Sequence, residues 1–170
     1  RRHTDSGVAD FVQRNDYEDL ARRGPLTPDH IIRTKRLPMV GANQDSLDRY
    51  VKEYGSYVEE FRHRIRTEFT EIDPAPRIVL DPEIGMLTAG FTSKDAQIAA
   101  DIYHHTIPVL CRSEDHLGGY KALPPEELFD VEYWDLEQAK LLKSGKPPEL
   151  SGMVSLVTGA ASGIGKACAE

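Results

Sequence analysis

The chain has 170 residues, enough for one domain with a hydrophobic core and a few additional segments. Hydrophobic residues make up 39% and charged residues 29% of it, a balance typical of soluble globular proteins and too polar for membrane-spanning helices. The net charge of −7 argues against a nucleic-acid-binding surface, which is normally basic. The two cysteines, Cys111 and Cys168, match no zinc-binding or C-x-x-C spacing and predict reduced thiols in a cytoplasmic protein.

Residues 1–43 are predicted to form an arm and a connection from an upstream domain. Within them, residues 1–16 are polar and mixed in charge, which favours a loop or an irregular arm. A short helix is predicted over residues 16–23, where a Gly-Pro pair would stop it. Residues 37–40 predict a short strand, whose length Pro38 limits.

Polar residues are densest between positions 27 and 36. Thr27 followed by Pro28 is typical of an N-cap and a first helical position, so a brief helical turn is predicted here. These polar residues indicate an anion- or phosphate-binding site, or a contribution to a neighbouring active site. The alternative is a capped turn whose charged side chains are solvated. The residues that would support such a site are Asp29, His30, Arg33 and Lys35.

Residues 44–123 are predicted to form an α/β unit that begins with an amphipathic helix. Apolar residues at spacings of three and four continue from position 44 to position 66, and Asn43 is placed to cap this helix. Three tyrosines at helical spacing are interpreted as a stripe that faces the core rather than a ligand. They are Tyr50, Tyr54 and Tyr57.

The rest of this unit is predicted to be a β-hairpin and a long helix. Residues 77–80 and 86–90 are short apolar runs separated by a turn, which is typical of a hairpin. A helix capped by Thr92 follows towards position 116. Pro108 is expected to kink this helix or to end its regular hydrogen bonding early.

Two neighbouring histidines, His104 and His105, lie on this helix one turn after Asp101. Adjacent residues differ by about 100° around a helix axis, so these side chains cannot easily face one metal ion together. An ordinary polar face is predicted instead, with Asp101 and His105 able to form an i,i+4 pair. No metal ligand is therefore assigned in the chain.

Residues 124–150 are predicted to be an acidic and aromatic segment followed by a linker. Apolar and aromatic residues alternate with acidic ones over residues 124–137, where basic residues are lacking. The segment is expected to lie on the surface of a partner, where Trp134 would be a hot spot for binding. A short helix over residues 135–143 and a linker at residues 144–148 complete it.

Residues 151–170 predict the truncated start of a Rossmann-type domain. An apolar strand at residues 154–157 precedes a turn in which Gly159 permits a backbone conformation closed to other side chains. Gly163 would let a pyrophosphate approach the N-terminus of the next helix, and Gly165 would let that helix pack closely. The predicted cofactor-binding residues are Thr158, Gly159, Ser162, Gly163, Ile164 and Gly165.

The spacing T-G-x-x-x-G-x-G in this loop resembles the nucleotide-binding start of the short-chain dehydrogenase/reductase family, whose string V-T-G-A-A-S-G-I-G recurs at residues 157–165. The chain as a whole resembles the middle of a family of bifunctional proteins. In that family a class II, zinc-dependent aldolase domain precedes a short-chain dehydrogenase, and its members are described as rhamnulose-1-phosphate aldolase/alcohol dehydrogenase. Residues 23–36 and 129–140 carry the resemblance beside the glycine loop.

This resemblance implies an α/β fold: a small layered unit like the C-terminal part of a class II aldolase, a linker, and the first β-α of a Rossmann-type domain. It implies a parent enzyme that cleaves rhamnulose 1-phosphate to dihydroxyacetone phosphate and lactaldehyde, and passes the aldehyde to an NAD- or NADP-dependent half. The chain itself is expected to be an inactive internal fragment. Catalytic residues and zinc ligands are expected in other parts of the parent, and the choice between NAD and NADP stays open.

Residues 77–110 resemble the closing β-β-α unit of class II aldolases, where a His-Gly pair between the strands supplies a zinc ligand. Ile84 and Gly85 occupy that position here, so the hypothesis is a degenerate unit that kept the scaffold and lost the metal. The expected partners are the neighbouring aldolase and dehydrogenase domains and further copies of the chain. The alternative is a non-catalytic interaction module, in which the α/β core and residues 124–137 drive oligomerisation.

Overall fold

The computed structural model describes residues 1–65, 71–142, 153 and 155–170, which form a mixed α/β structure. The strands are β1 Arg2–His3, β2 Met39–Val40, β3 Ile78–Asp81 and β4 Gly85–Thr88. The α-helices are α1 Ser6–Val12, α2 Tyr17–Ala21, α3 Ile31–Thr34, α4 Gln44–Phe61, α5 Ser93–Leu117, α6 Pro125–Glu132, α7 Asp135–Leu142 and α8 Gly163–Ala169, with single 3₁₀ turns at Pro28–His30 and Arg62–Arg64. Among the described helices none is long and apolar enough to cross a bilayer.

The four strands form one mixed sheet in the order β1-β4-β3-β2. β3 and β4 form the predicted antiparallel hairpin, and β1 adds to β4 antiparallel. β2 pairs with β3 in parallel, which confirms the short strand expected around Pro38. A parallel pair needs a long crossover, and α4 lies in the connection between β2 and β3.

Helices cover both faces of this sheet, because side chains on a strand alternate between its two faces. Ile78 and Leu80 are fully buried in the main core against α1, α2 and α5. Val79, between them, faces the other way and packs with Met39 and with Tyr50 of α4. The sheet is therefore the middle of three layers, and α4 carries Tyr50 on the second face.

The prediction of an irregular arm over residues 1–16 is wrong. Arg2 and His3 form the edge strand β1, and α1 buries Val8, Phe11 and Val12 to within 2% of full burial. Asp5 caps α1 by accepting a hydrogen bond from the backbone N–H of Val8. A seven-residue helix with three apolar residues gives a weak periodic signal, and its burial against α5 decides its structure.

The two long helices begin where their capping residues were predicted. Asn43 accepts a hydrogen bond from the backbone N–H of Ser46, and Thr92 accepts one from Asp95. Pro108 does not end α5, which continues through it to Leu117. Buried residues flank Pro108 on both sides, so packing against the sheet compensates for the hydrogen bond that proline removes. Thr27 lies in an extended conformation before the 3₁₀ turn, but its side chain makes no capping bond there.

The prediction that the segment 124–137 buries its aromatic residues on a partner is wrong for two of the three. Phe129 and Tyr133 are buried within the chain itself, as is Leu128. Phe129 packs edge-on against Tyr57 of α4, with ring centroids 5.5 Å apart. Trp134 is the exception at 52% exposed. The predicted linker at residues 144–148 lies outside the described residues.

The prediction of a strand before the glycine loop is wrong for the residues that can be described. Residues 155–157 have no strand structure, and Leu156 is 93% exposed. Val154 lies outside the described residues. A strand exists through its hydrogen bonds to a neighbouring strand, and none of the four described strands pairs with this segment. Helix α8 does begin at Gly163, as expected.

Candidate functional site

The polar residues of 27–36 do not all meet in one site. His30, Lys35 and Arg36 line one small cavity together with Thr34, whereas Arg33 has a different neighbour. Arg33 pairs with Asp95 of α5 at 3.2 Å. The pKa of His30 is lowered by burial and by nearby His105. Among the charged side chains of this cluster, that of Lys35 is the buried one, at 3% exposed.

Lys35 has the one positive φ among the described non-glycine residues, +65°. This conformation is uncommon and strained for a residue with a Cβ, so the surrounding packing must hold it. Its ammonium group donates a hydrogen bond to the backbone carbonyl of Asp73 at 2.7 Å and lies 3.8 Å from the centre of the Tyr54 ring. Burial lowers the pKa of Lys35 to about 8.

Glu132 of α6 is the acidic partner of Lys35. It is fully buried, and its Oε1 lies 4.0 Å from the Lys35 Nζ and accepts a hydrogen bond from the Tyr54 hydroxyl at 3.0 Å. Its Oε2 is buried and has no hydrogen-bond partner among the described residues. Burial raises the pKa of Glu132 to about 6, against the opposing pull of Lys35.

Tyrosine hydroxyls connect this pair to the elements around it. Tyr54 also shares a hydrogen bond with Tyr133 at 3.2 Å, while Tyr50 donates to the carbonyl of Leu37 at 3.1 Å. The network therefore joins α4, α6 and the segment before β2. Because Lys35 and Glu132 are sealed from solvent, the arrangement can hold these elements together but offers a substrate no access.

Sequence analysis missed Glu132 as a site residue. A usable signal exists, since Glu132 follows Leu128 and Phe129 by four and three residues and so shares their buried helical face. Its acidic neighbours on α6 obscured this, because a run of carboxylates normally indicates a solvated surface. The burial of Lys35 had no comparable signal.

A cleft opens beside this network, between α4 and the residues that lead into β2. Its inner part is lined by Arg22, Arg36, Arg49 and Glu53, together with Tyr50 and Tyr57. The Arg36 guanidinium stacks on the ring of Tyr57, 4.6 Å from its centre. Sequence analysis placed Arg36 in the polar cluster but could not join it to Arg22 and Arg49, which lie on other elements.

The histidines of α5 make local contacts rather than a metal centre. His104 Nε2 lies 2.8 Å from Asp5 Oδ2, and the ring of His3 packs edge-on against the ring of His104. Asp101 accepts a hydrogen bond from Gln97 at 2.7 Å, in place of the expected pair with His105. Over residues 1–65 and 71–142 and the described C-terminal segment, no three His, Cys, Asp or Glu side chains are arranged to hold a metal ion.

The turn between β3 and β4 is closed by hydrogen bonds to the side chain of Asp81. Asp81 Oδ1 accepts hydrogen bonds from the N–H groups of Glu83 and Ile84, at 2.9 and 3.1 Å. Gly85 has φ +91°, and a Cβ there would lie 2.5 Å from the carbonyl oxygen of His3. The Ile84-Gly85 position thus serves the packing of β1 and presents no imidazole.

The glycine loop adopts the tight geometry that its sequence predicts. Gly159 and Gly163 have φ of +67° and +56°, values that favour glycine. A Cβ on Gly165 would lie 2.4 Å from the carbonyl oxygen of Gly159, so only glycine fits there. A Cβ on Gly163 would meet nothing within 4 Å, so that side of the loop is open. The predicted cofactor-binding residues therefore form a compact, exposed loop at the start of α8.

Comparison with known proteins gives one family and one curated relative. A family model described as "Aldolase class II, second domain" matches residues 1–141. "Uncharacterized oxidoreductase YuxG" of Bacillus subtilis (strain 168) is 32% identical over 171 residues, which cover 94% of this chain and 25% of that protein. The chain thus spans a quarter of the length of the curated relative that it matches. No solved structure matches the chain significantly.

Proposed function

The chain belongs to the family of class II aldolase second domains, and on that premise we propose that it is a non-catalytic spacer between two enzymes. In this role it holds a class II aldolase domain and a short-chain dehydrogenase domain within one longer protein. The observation that carries the proposal is the tight glycine loop at residues 158–165, which follows an aldolase-type unit in the same chain.

The aldolase-type unit is assigned no catalysis of its own. Aldol cleavage by a class II enzyme uses a zinc ion, and the described residues offer no group of ligands to hold one. The turn at Ile84 and Gly85 is closed by Asp81, and the polar network of Lys35 and Glu132 is sealed. In this proposal the zinc-dependent step therefore belongs to another domain of the parent.

The glycine loop is assigned to NAD or NADP. Thr158, Gly159 and Ser162 to Gly165 would hold the pyrophosphate, since the loop is open at Gly163 and its backbone N–H groups can face an anion. When bound, the nicotinamide would accept or supply a hydride. The printed name of the relative, an oxidoreductase, supports this half of the proposal.

For the parent protein we propose cleavage of rhamnulose 1-phosphate to dihydroxyacetone phosphate and lactaldehyde, followed by NAD(P)-linked conversion of the aldehyde. The coarser part of this assignment, an aldolase- and oxidoreductase-related protein, rests on the family match and on the relative. The particular sugar phosphate rests on the resemblance of residues 23–36 and 129–140 alone.

Calorimetric titration with NAD and NADP tests the proposal. The 170-residue chain is compared with a chain extended through a complete nucleotide-binding domain. Binding by the extended chain alone supports an incomplete site in residues 158–165, because a doubly wound domain needs further strands to build its crevice. Failure of both chains would overturn the dehydrogenase assignment.

A second candidate function is that of an oligomerisation module. The exposed surface formed by α7 and by Trp134, directly before it, favours this function. Trp134 and Leu136 are 52% and 60% exposed, and large exposed apolar side chains often mark contact surfaces. Light scattering on the chain and on its Trp134→Ala and Val51→Ala variants separates the possibilities. A dimer lost only with Trp134→Ala supports the module, whereas a wild-type monomer at high concentration excludes it.

A further inference from the structure

We propose that the cleft lined by Arg22, Arg36 and Arg49 binds the phosphate or carboxylate group of a small anionic ligand. The cleft lies between α4, the C-terminal end of α2 and the residues before β2. It is distinct from the glycine loop, and the inference does not depend on the aldolase or dehydrogenase assignments.

Arg36 is the central residue of this site. Its guanidinium stacks on the Tyr57 ring, 4.6 Å from the ring centre. Within the described residues no hydrogen bond or ion pair involves its side chain, and its charge acts through space on the buried carboxylate of Glu132. A stacked guanidinium leaves the N–H groups at its edge free, and their fork matches the two oxygens of a carboxylate or phosphate.

The backbone holds Arg36 in place for this purpose. Lys35, directly before it, is anchored in the interior by its bond to the Asp73 carbonyl and has φ +65°. Pro38 follows two residues later and is itself buried. Arg36 is therefore attached to a rigid segment, which reduces the ordering that a ligand must impose on binding.

The charges around the inner cleft are predominantly positive. Three arginines and one glutamate line it, and that glutamate, Glu53, already lies 3.6 Å from Arg22. Arg49 donates a hydrogen bond to the Ser46 hydroxyl at 3.1 Å and keeps further donors. In a chain with a net charge of −7, this concentration of cations is a local exception that attracts anions.

The shape of the cleft suits one anionic group attached to a larger molecule. The inner part holds about 30 Å³, roughly two to three times the volume that one water molecule needs. It adjoins a groove of about 660 Å³ that shares Arg22, Arg36 and Arg49 and adds Lys52. The acidic residues Glu60 and Glu126 lie only in this outer groove. The oxyanion would therefore contact Arg36 at the boundary, with the remainder of the ligand in the groove.

The test is a titration of the 170-residue chain with sodium phosphate and, separately, with sodium acetate, at ionic strength held constant with chloride. The readout is the Nε–Hε signal of Arg36 in nitrogen-15 NMR spectra, assigned by its loss in Arg36→Gln. We expect a saturable shift of this signal. Saturation by phosphate alone identifies a phosphate ligand, and saturation by acetate as well identifies a general oxyanion site.

Variants locate the site. Binding to each variant is measured by calorimetry and by the NMR signal of an arginine side chain that the variant retains. The Arg49 signal is followed in Arg36→Gln and Arg112→Gln, and the Arg36 signal in Arg49→Gln. Arg36→Gln and Arg49→Gln should each weaken binding about tenfold, since each removes a charged donor. Arg112→Gln, on the exposed face of α5, is the matched control and should bind as the wild type does.

Three results would overturn the proposal. They are a shift that never saturates, an equal loss of affinity in Arg112→Gln, and wild-type affinity in Arg36→Gln. Near-ultraviolet circular dichroism monitors folding of the Arg36 variant. If that variant is misfolded, Arg49→Gln decides the question, because Arg49 is exposed and its replacement leaves the core unchanged.

Discussion

Lys35 and Glu132 face each other inside the protein, with the Lys35 Nζ 4.0 Å from the Glu132 Oε1, although they belong to elements far apart in the chain. Burial disfavours the charged form of both side chains. It lowers the pKa of Lys35 to about 8 and raises the pKa of Glu132 to about 6. The pair therefore aligns α6 with the end of α3 while retaining a desolvation cost.

A double-mutant cycle measures the coupling free energy between Lys35 and Glu132. We expect Lys35→Met with Glu132→Gln to be at least as stable as the wild type, because both buried charges disappear and the amide of Gln can still accept from Tyr54. The coupling between the two sites should be favourable and about 0.5–3 kcal/mol, measured by urea unfolding of the four proteins. Additive effects would mean that the two charges do not interact.

Stability should respond to pH in two opposite windows. The pKa of Glu132 is about 6 in the folded protein and 4.5 ordinarily. As the pH falls, the carboxylate is therefore protonated in the folded protein before it is protonated in the unfolded chain. Its contribution to the free energy of unfolding therefore rises by about 2 kcal/mol as the pH falls from 6 to 4.5. The pKa of Lys35 is about 8 against 10.5, so its contribution rises as the pH increases above 8.

Urea unfolding across both windows, for the wild type and the double variant Lys35→Met/Glu132→Gln, checks these signs. The difference between the two proteins should favour the double variant most between pH 6 and pH 8, where the wild type carries both charges. A difference that stays constant with pH would contradict the assignment of the two shifts to this pair.

Two glycine-to-alanine changes should have opposite effects. Gly55 lies inside α4, and a Cβ there meets nothing within 4 Å, so Gly55→Ala should raise the free energy of unfolding by about 0.5–1 kcal/mol. Gly85→Ala should lower the free energy of unfolding by about 1–3 kcal/mol. Position 85 has φ +91°, and the added Cβ would lie too close to the carbonyl oxygen of His3. Urea denaturation measures both, and hydrogen exchange at Met86 should report the loosened pairing of β1 and β4.

Gly165→Ala should disturb the glycine loop without affecting the core. The new Cβ would lie 2.4 Å from the Gly159 carbonyl oxygen, so the start of α8 must move away. We expect nitrogen-15 chemical-shift changes confined to residues 158–170, an unchanged unfolding midpoint, and loss of NAD binding in the extended chain. Ala167→Ser, on the same exposed helix, is the control and should retain binding. Unchanged affinity in Gly165→Ala would contradict the cofactor role of the loop.

Much of the α/β scaffold was predictable because its signals are local. The helix at α4 follows from spacings of three and four and from Asn43, which caps it by one hydrogen bond within a turn. The β3–β4 hairpin follows from two apolar runs around a turn. By contrast, β1 is two residues long, and the register of Arg2 against Leu87 comes from a strand remote in the chain.

The sequence by itself determined where α4, α5 and the hairpin lie, and which glycines shape the loop before α8. The reason is that periodicity, capping and backbone freedom act within one or two turns of the chain. Only the tertiary structure decided that Lys35 is buried against Glu132 while Arg33 meets Asp95. It alone brought Arg36 to Arg22 and Arg49, because burial and charge pairing depend on distances between elements that the order of residues does not state.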